Sequence, residues 1–310
     1  MRLTAPGRAA VAYPILIERG RCWDARPEGA DAFAVALPEA AAIDDDEVYV
    51  PAGWAWVGGD PEAPDSLPRR LVWIDGFVVA RFPVTNEAYL AFLDALVAAG
   101  REDEALAACP RANRGTVAGE HLAYDRDARG LFRLKAHDPG QAWTPRGPAV
   151  LMSWRGATAY ARWQAAQRGR PYRLIHELER EKAARGADGR AFPWGDHFDP
   201  TWARMLSSQA GDPSRVDVDA YPTDESPYGM RGAAGNSRDH GLNLWTQEGP
   251  AIRGGRLVIE PAPEGGDAYR SARGGAWSSV ENHCRAAARF VVPPDQGRST
   301  LGLRLARSFP

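Results

Sequence analysis

The sequence predicts a soluble α+β fold with little regular secondary structure, preceded by a small β unit. Three observations carry this expectation. The 310 residues include 32 glycines and 25 prolines, together roughly 18% where about 12% is usual. The excess runs the whole length, as in a fold made of many turns. Eleven tryptophans bring large apolar area with one polar handle each, enough to fill a core that long helices do not. Helical periodicity is confined to the middle of the chain, and short strands, turns and Trp/Gly punctuation follow from about Gly189.

Residues 1–45 read as the small β unit. Val11, Tyr13, Ile15 and Ile17 alternate, as do Phe33, Val35 and Leu37, with a Pro/Gly loop between them. The acidic stretch Asp44–Glu47 reads as a linker, and the larger domain, residues 46–310, opens at "VYVPAGWAWVGGD". In "WAW" the two rings are two residues apart and share one side of a strand. The first helix falls in "VTNEAYLAFLDALVAAG", where Tyr89, Phe92, Leu93, Leu96 and Val97 share a face. Thr85 caps its start and Gly100 its end. The second falls in "SWRGATAYARWQAAQRG", capped by Ser153, with Ala157, Tyr160, Ala161 and Gln164 on one face. The third is "HELEREKAARG", acidic in its first turn and carrying Arg185 in its last, as the helix dipole favours. No helix is expected after Gly189, and no repeat of fixed period appears.

Composition excludes several classes. A net charge of −2 without any basic run argues against nucleic acid as a partner. No stretch approaches the ~20 apolar residues of a membrane span. Arg8 and Pro14 interrupt the apolar start, so no secretion signal is legible, and a cytoplasmic protein is expected. Cys22, Cys109 and Cys284 are far apart, which suits reduced thiols better than a cysteine zinc site. The six histidines, His121, His137, His176, His197, His240 and His283, form no HxxxH or HExxH pair. No GxSxG elbow is present, and the glycine turns lack the lysine and Ser/Thr of a phosphate loop.

Eight stretches in order resemble the formylglycine-generating enzyme, or sulfatase-modifying factor, family: "VYVPAGWAWVGGD", "FPVTNEAYLAFL", "PAVLMSWRGATAYARW", "YRLIHELEREKAARG", "FPWGD", "SPYGMRGAAGN", "RGGAW" and "LGLRLARS". They cover roughly Val48 to Ser308. The resemblance implies an irregular α+β fold related to C-type lectins. It also suggests a kinase context, because some bacteria fuse this domain behind a serine/threonine kinase through a short β segment like "YPILIERG…FAVALPEA". No HRD, DFG or VAIK-type kinase signature is in the chain. Trp154, Trp163, Trp194, Trp245 and Trp277 lie in the family motifs and read as core.

Family oxidases turn a substrate cysteine into formylglycine with oxygen and a copper(I) ion held by two thiolates, a soft metal on soft ligands. Their pattern is RGGS, an aromatic, one residue, Cys, four residues, Cys. Counted from Arg273, the serine position is Ala276, the aromatic is Trp277, the first cysteine position is Ser279 and the second is Cys284. One thiolate and the serine are absent. Copper is therefore not expected, and Cys284 remains the one catalytic candidate, with a buried structural thiol as its plainer reading.

Two more motifs depart from the family. "RLPTEAEWE" becomes "RLIHELERE", with Ile175, His176 and Arg180 in place of Pro, Thr and Trp. "GNxWEW" becomes "GNSRDH", with Arg238 and His240 at the Trp positions and Asp239 at the Glu. A buried unpaired arginine would cost several kcal/mol, so these residues are either exposed or paired. The functional reading is a rebuilt polar pocket for an anion or a peptide, formed by Arg180, Arg238 and His240 with Ser279 and Trp277. The resemblance also implies calcium near "GN": Asn236 and Asp239 are its candidate ligands, with Asp212, Asp217 and Asp219 upstream. Asp and Asn also simply favour turns.

The function expected is a catalytically disabled domain of this family that binds a protein, peptide or small ligand, or acts as a sensor, with a link to a serine/threonine kinase system. Two alternatives stay open. One is a divergent formylglycine oxidase or other oxygen-dependent metalloenzyme. The other is a lectin-like binding protein diversified by a retroelement, with its variation in Ser278–Thr300.

Overall fold

Alternating burial along short strands builds three four-stranded sheets in the computed structural model, which describes residues 1–17, 19, 26, 27, 29–114, 117–135, 143–211 and 213–309. The chain opens with a small antiparallel ladder, β1 (Arg2–Leu3) against β2 (Val11–Ala12). Next come β3 (Glu47–Val50), β4 (Gly53–Val57), β5 (Arg70–Ile74) and β6 (Phe77–Ala80). β4 pairs with β5, whereas β3 pairs with β6 in a different sheet. On β4 the odd positions are buried and Trp54 and Trp56 are half-exposed on the other side, as the spacing predicts. Trp54 meets Trp73 edge to face at 5.7 Å, and Arg69 lies over Trp56 at 4.2 Å.

All three predicted helices form. Thr85 Oγ1 accepts from Ala88 N to start α1 (Asn86–Ala98), and Gly100 follows its end with φ +71°. Tyr89, Phe92, Leu93 and Leu96 are its buried face. Ser153 Oγ accepts from Gly156 N to start α3 (Trp154–Arg168). Between them the sequence reading missed α2 (Glu102–Ala108), although its first turn, Glu102-Asp103-Glu104, is the acidic start a helix favours. Two hairpins follow α2, β7 (Arg111–Arg114) with β8 (Val117–Leu122) and β9 (Asp125–Arg126) with β10 (Phe132–Arg133). α1 and α3 pack through Tyr89, Phe92, Tyr160 and Trp163, with Tyr89 stacked on Tyr160 at 5.4 Å.

β11 (Arg173–Leu174) leads into α4 (Glu177–Arg185). The last third is β12 (Arg238–Leu244), β13 (Ile252–Arg253), β14 (Arg256–Leu257), β15 (Arg270–Arg273), the single turn α5 (Glu281–Cys284), β16 (Arg289–Val292), β17 (Leu301–Gly302) and β18 (Leu305–Ser308). The sheets run β11-β18-β6-β3, β16-β15-β12-β17 and β13-β14-β5-β4. The expectation of no helix after Gly189 thus fails for α5 and for the 3-10 turn Pro200–Trp202.

The N-terminal segment corrects the sequence reading in part. Val11–Ala12 is a strand, but 13–17 and 33–37 are not. Pro14 removes a donor from the first run. Leu3, Val11, Leu37 and Ile43 pack instead on Tyr49, Val78 and Phe309 of the larger domain, and Phe33 meets Trp73 at 4.8 Å. Apolar alternation here serves docking rather than strand pairing.

Every residue of α4 is buried, although six of its nine side chains are charged. Glu177 takes Arg273 at 3.1 Å and Arg289 at 2.8 Å. Glu179 takes Arg173, and Glu181 takes Arg185, each at 2.7 Å. Lys182 Nζ donates to the carbonyls of Pro51, Gly53 and Ile74 at 2.7, 3.2 and 3.0 Å. Burial alone would raise the Glu177 carboxyl, but Arg273 and Arg289 pull it down to about 2. Its ordinary value is 4.5. Because the folded value is the lower one, its stabilisation is complete above pH ~4.5 and is lost as pH falls toward 2. Glu177→Gln, which leaves Arg273 with Glu181 alone and Arg289 with the partly exposed Asp65 alone, should cost about 3 kcal/mol. Urea midpoints should show that loss at pH 7 and a flatter decline between pH 5 and 2 than in the wild type.

Candidate functional site

Strand periodicity divides the three motif residues between two faces. Side chains alternate along β12, so Arg238 and His240 point one way and Asp239 the other. On the inner side Asp239 Oδ2 accepts from Arg180 Nε at 2.7 Å and from Arg304 Nε at 3.2 Å, and all three residues are buried. Arg180 also donates to Ala233 O, and Arg304 donates to the carbonyls of Ala80, Arg81, Arg231 and Gly232. The arginine at the family's Trp position is therefore the paired case, neutralised by Asp239.

His240 is fully buried, and its Nε2 lies 3.2 Å from Met152 O. A carbonyl only accepts, so Nε2 carries the proton. Burial pushes the imidazole down to about 4, which keeps it neutral at pH 7. Arg180 and His240 thus do not line a common pocket with Arg238, as the sequence reading had them. Each is inside the protein, one held by a carboxylate and the other by a backbone carbonyl.

His176, at the family's threonine, does a threonine's work. Its Nδ1 accepts from Leu178 N at 3.2 Å, and Glu179 returns a bond to His176 N at 3.0 Å, a complete capping box at the start of α4. Burial lowers this imidazole to about 4, so the accepting lone pair stays free of a proton.

The loop from Gly274 to Cys284 carries the other candidates. Any Cβ at Gly275 would run into Ala234 O and Cys284 Sγ, so the backbone passes there only as glycine. Cys284 closes α5 and is fully buried beside Phe192, Ala203, Met205 and Ala234. Burial, with Asp224 nearby, pushes its thiol up to about 12. Ser279 Oγ accepts from Ala276 N at 3.0 Å and from Arg238 Nη2 at 2.8 Å. Trp277 is half-buried and donates from Nε1 to Ser299 O at 2.9 Å, which ties the loop to the segment before β17. A protonated thiol and a hydroxyl already bonded to a guanidinium do not fit copper(I). Cys109, the other described cysteine, is buried in the α1–α3 core; Cys22 lies outside the described residues.

The calcium candidates are also committed elsewhere. Asn236, at φ +66°, accepts from Val216 N through Oδ1 and donates to Val216 O through Nδ2. Asp239 faces two guanidiniums. Asp217 accepts from Thr144 Oγ1 and Asp219 pairs with Arg146, while Asp212 lies outside the described residues. These residues do not fit a calcium ion. Among the described residues no group of three His, Cys, Asp or Glu could hold a metal.

The outer face of β12 opens into a pocket of about 280 Å³ lined by Asp65, Arg238, Trp245, Phe290, Arg298, Thr300 and Leu301. Parallel pairing of β12 with β17 places Arg238 opposite Leu301, and Arg238 N donates to Thr300 O at 2.8 Å. The Arg238 guanidinium lies 4.0 Å over the Phe290 ring. Burial lowers its pKa to about 10, and the positive charge of Arg298 adds to the effect. It remains a cation at pH 7. Arg298 carries no motif in the sequence and was missed; only the β12–β17 pairing brings it here. A larger groove of about 520 Å³ lies between α1, α2 and α3, away from these residues.

The irregular α+β fold is that of the formylglycine-generating, C-type-lectin-related group. Structures of PvdO from Pseudomonas aeruginosa (TM-score 0.62, 23% identity, 85% of this chain and 94% of that one) and of Treponema denticola variable protein 1 (0.59, 16%, 85% and 95%) share it. The chain belongs to the sulfatase-modifying factor family: the Sulfatase-modifying factor enzyme 1-like domain matches residues 33–309. It is 28% identical over 290 residues to the formylglycine-generating enzyme of Thermomonospora curvata, covering 84% of this chain and 92% of that one. It is 30% identical over 267 residues to the serine/threonine-protein kinase Pkn1 of Chlamydia trachomatis. That match covers 84% of this chain but only 38% of the kinase. The inactive C-alpha-formylglycine-generating enzyme 2 of Mus musculus is 27% identical over 295 residues, covering 84% of this chain and 85% of that one.

Iodoacetamide at pH 8 should leave Cys284 unmodified in the folded protein and label it in 8 M urea. Site-resolved mass spectrometry checks this, and labelling of the folded thiol would contradict its burial.

Proposed function

We propose that this chain is a catalytically disabled member of the family that works as a binding module. One observation carries the reading. Where the oxidases need two thiolates, Cys284 is a buried protonated thiol and Ser279 is a hydroxyl held by Arg238. The relative named as inactive in Mus musculus supports the loss of chemistry, and the kinase-borne relative supports a regulatory setting. The ligand is a protein, peptide or small molecule, sought first in serine/threonine kinase systems of the cytoplasm. No described helix is long and apolar enough to cross a membrane.

The oxidase alternative needs a second sulfur beside Cys284. Among the described residues Cys109 is the only other cysteine, and it packs in a different cluster.

The test is incubation of the full chain with copper(I), oxygen and a cysteine-bearing peptide. The expected result is no retained copper and no peptide aldehyde by mass spectrometry. One copper per chain with aldehyde formation, both lost in Cys284→Ala, would overturn the reading.

A further inference from the structure

The pocket on the outer face of β12 has an unbalanced charge. Arg238 donates to Ser279 and stacks on Phe290, and neither contact is a counter-ion. Its Nε is buried and has no hydrogen-bond partner. Arg298 is exposed beside it, and among the described residues neither arginine has an acidic partner. Asp65, which also lines the pocket, is already taken: it pairs with Arg289 at 3.2 Å and accepts from Trp245 Nε1 at 2.8 Å. Asp65 therefore does not neutralise Arg238 and Arg298.

Elsewhere in the molecule the buried Arg180, Arg273, Arg289 and Arg304 each have a carboxylate, while Arg204 and Arg270 donate to backbone carbonyls. The Arg238 guanidinium donates to a hydroxyl instead, and it lies at a concave surface. Two guanidiniums lining one cavity without counter-charge make a site for anionic oxygens. The aromatic rings of Phe290 and Trp245 beside them offer apolar contact for whatever carries the anion.

The pocket also borders an outer strand, whose first backbone donor, Arg289 N, is taken by Pro64 O at 3.0 Å. β16 is the outer strand of its sheet, and Phe290, Val291 and Val292 line the cavity. Val291 is 40% exposed. An outer strand offers backbone groups to an extended chain. A volume of about 280 Å³ suits one side chain of such a segment rather than a whole cofactor.

Resting on the binding-module reading above, we propose that this pocket binds an acidic peptide, with Arg238 and Arg298 clasping one carboxylate or phosphate group of an extended segment laid along β16. Phosphate and carboxylate share this chemistry, so the test separates them. The full chain is titrated with three fluorescein-labelled peptides of one otherwise neutral sequence, bearing phosphoserine, glutamate or serine at the centre. Fluorescence anisotropy is read at low and high salt.

The anionic peptides should bind at least tenfold more tightly than the serine peptide, and that gap should shrink in 0.5 M NaCl. If phosphoserine exceeds glutamate, the natural group is a phosphate; if they are equal, a carboxylate suffices. Arg298→Gln, a change at an exposed position, should lose about tenfold for the anionic peptides with an unchanged melting temperature. Arg238→Gln should lose more. Arg101→Gln, outside the pocket, should lose nothing. Equal binding of all three peptides, no binding by either anionic one at millimolar concentration, or full binding by Arg298→Gln would overturn the proposal. The binding-module reading fails by a different signal, aldehyde on a cysteine-bearing peptide.

Discussion

The ion pair between Arg180 and Asp239 fixes the sheet half of this protein. It joins the buried helix α4 to the start of β12, at 2.7 Å with both side chains out of water. Two charges buried this way are costly unless their geometry is good and their remaining donors are used. The structure meets most of that demand with Arg304 as a second partner and with backbone carbonyls for both guanidiniums, and leaves Arg180 Nη1 and Asp239 Oδ1 without a hydrogen bond. A shift of β12 by one residue would put Asp239 outside and drive Arg238 into Arg180. The register is thus set by electrostatics as well as by apolar pattern, and the outward position of Arg238 follows from it.

The same logic explains why several family positions change together. Arginine at 180 in place of tryptophan would be ruinous alone. With aspartate at 239 the guanidinium has a short, buried partner, and Gly274 leaves it room, since any Cβ there would strike Arg180. His176 exchanges a hydroxyl for an imidazole and keeps the helix cap. These are compensated replacements within an intact scaffold. Ser279 is different: its hydroxyl accepts from Ala276 N and Arg238 Nη2 and is a hard oxygen, unsuited to a soft metal.

Much of the fold was legible because helices announce themselves locally. Thr85, Ser153 and the i, i+3, i+4 spacing of Tyr89, Phe92 and Leu93 need no tertiary knowledge. α2 was missed because it lacks a side-chain cap, and 33–37 misled because alternation shows a side to bury without naming a partner strand. The site was half legible. Sequence reasoning saw that Arg180 must be either paired or exposed, but pairing depends on which strand faces α4. His240 looked polar and available, yet packing against Met152 seals it. Arg298 was invisible, because its nearness to Arg238 comes from a parallel strand pair some sixty residues apart in sequence.

Arg304 has one more implication. Its guanidinium sits among the carbonyl oxygens of Ala80, Arg81, Arg231 and Gly232 and the carboxylate of Asp239. Such an oxygen-rich cage is the kind of surrounding a hard cation would seek. Here the positive charge arrives on the chain itself, bonded to the backbone it organises. Unlike a bound ion it cannot be chelated, exchanged or diluted away, and it holds the loops it gathers by bonds of the chain's own.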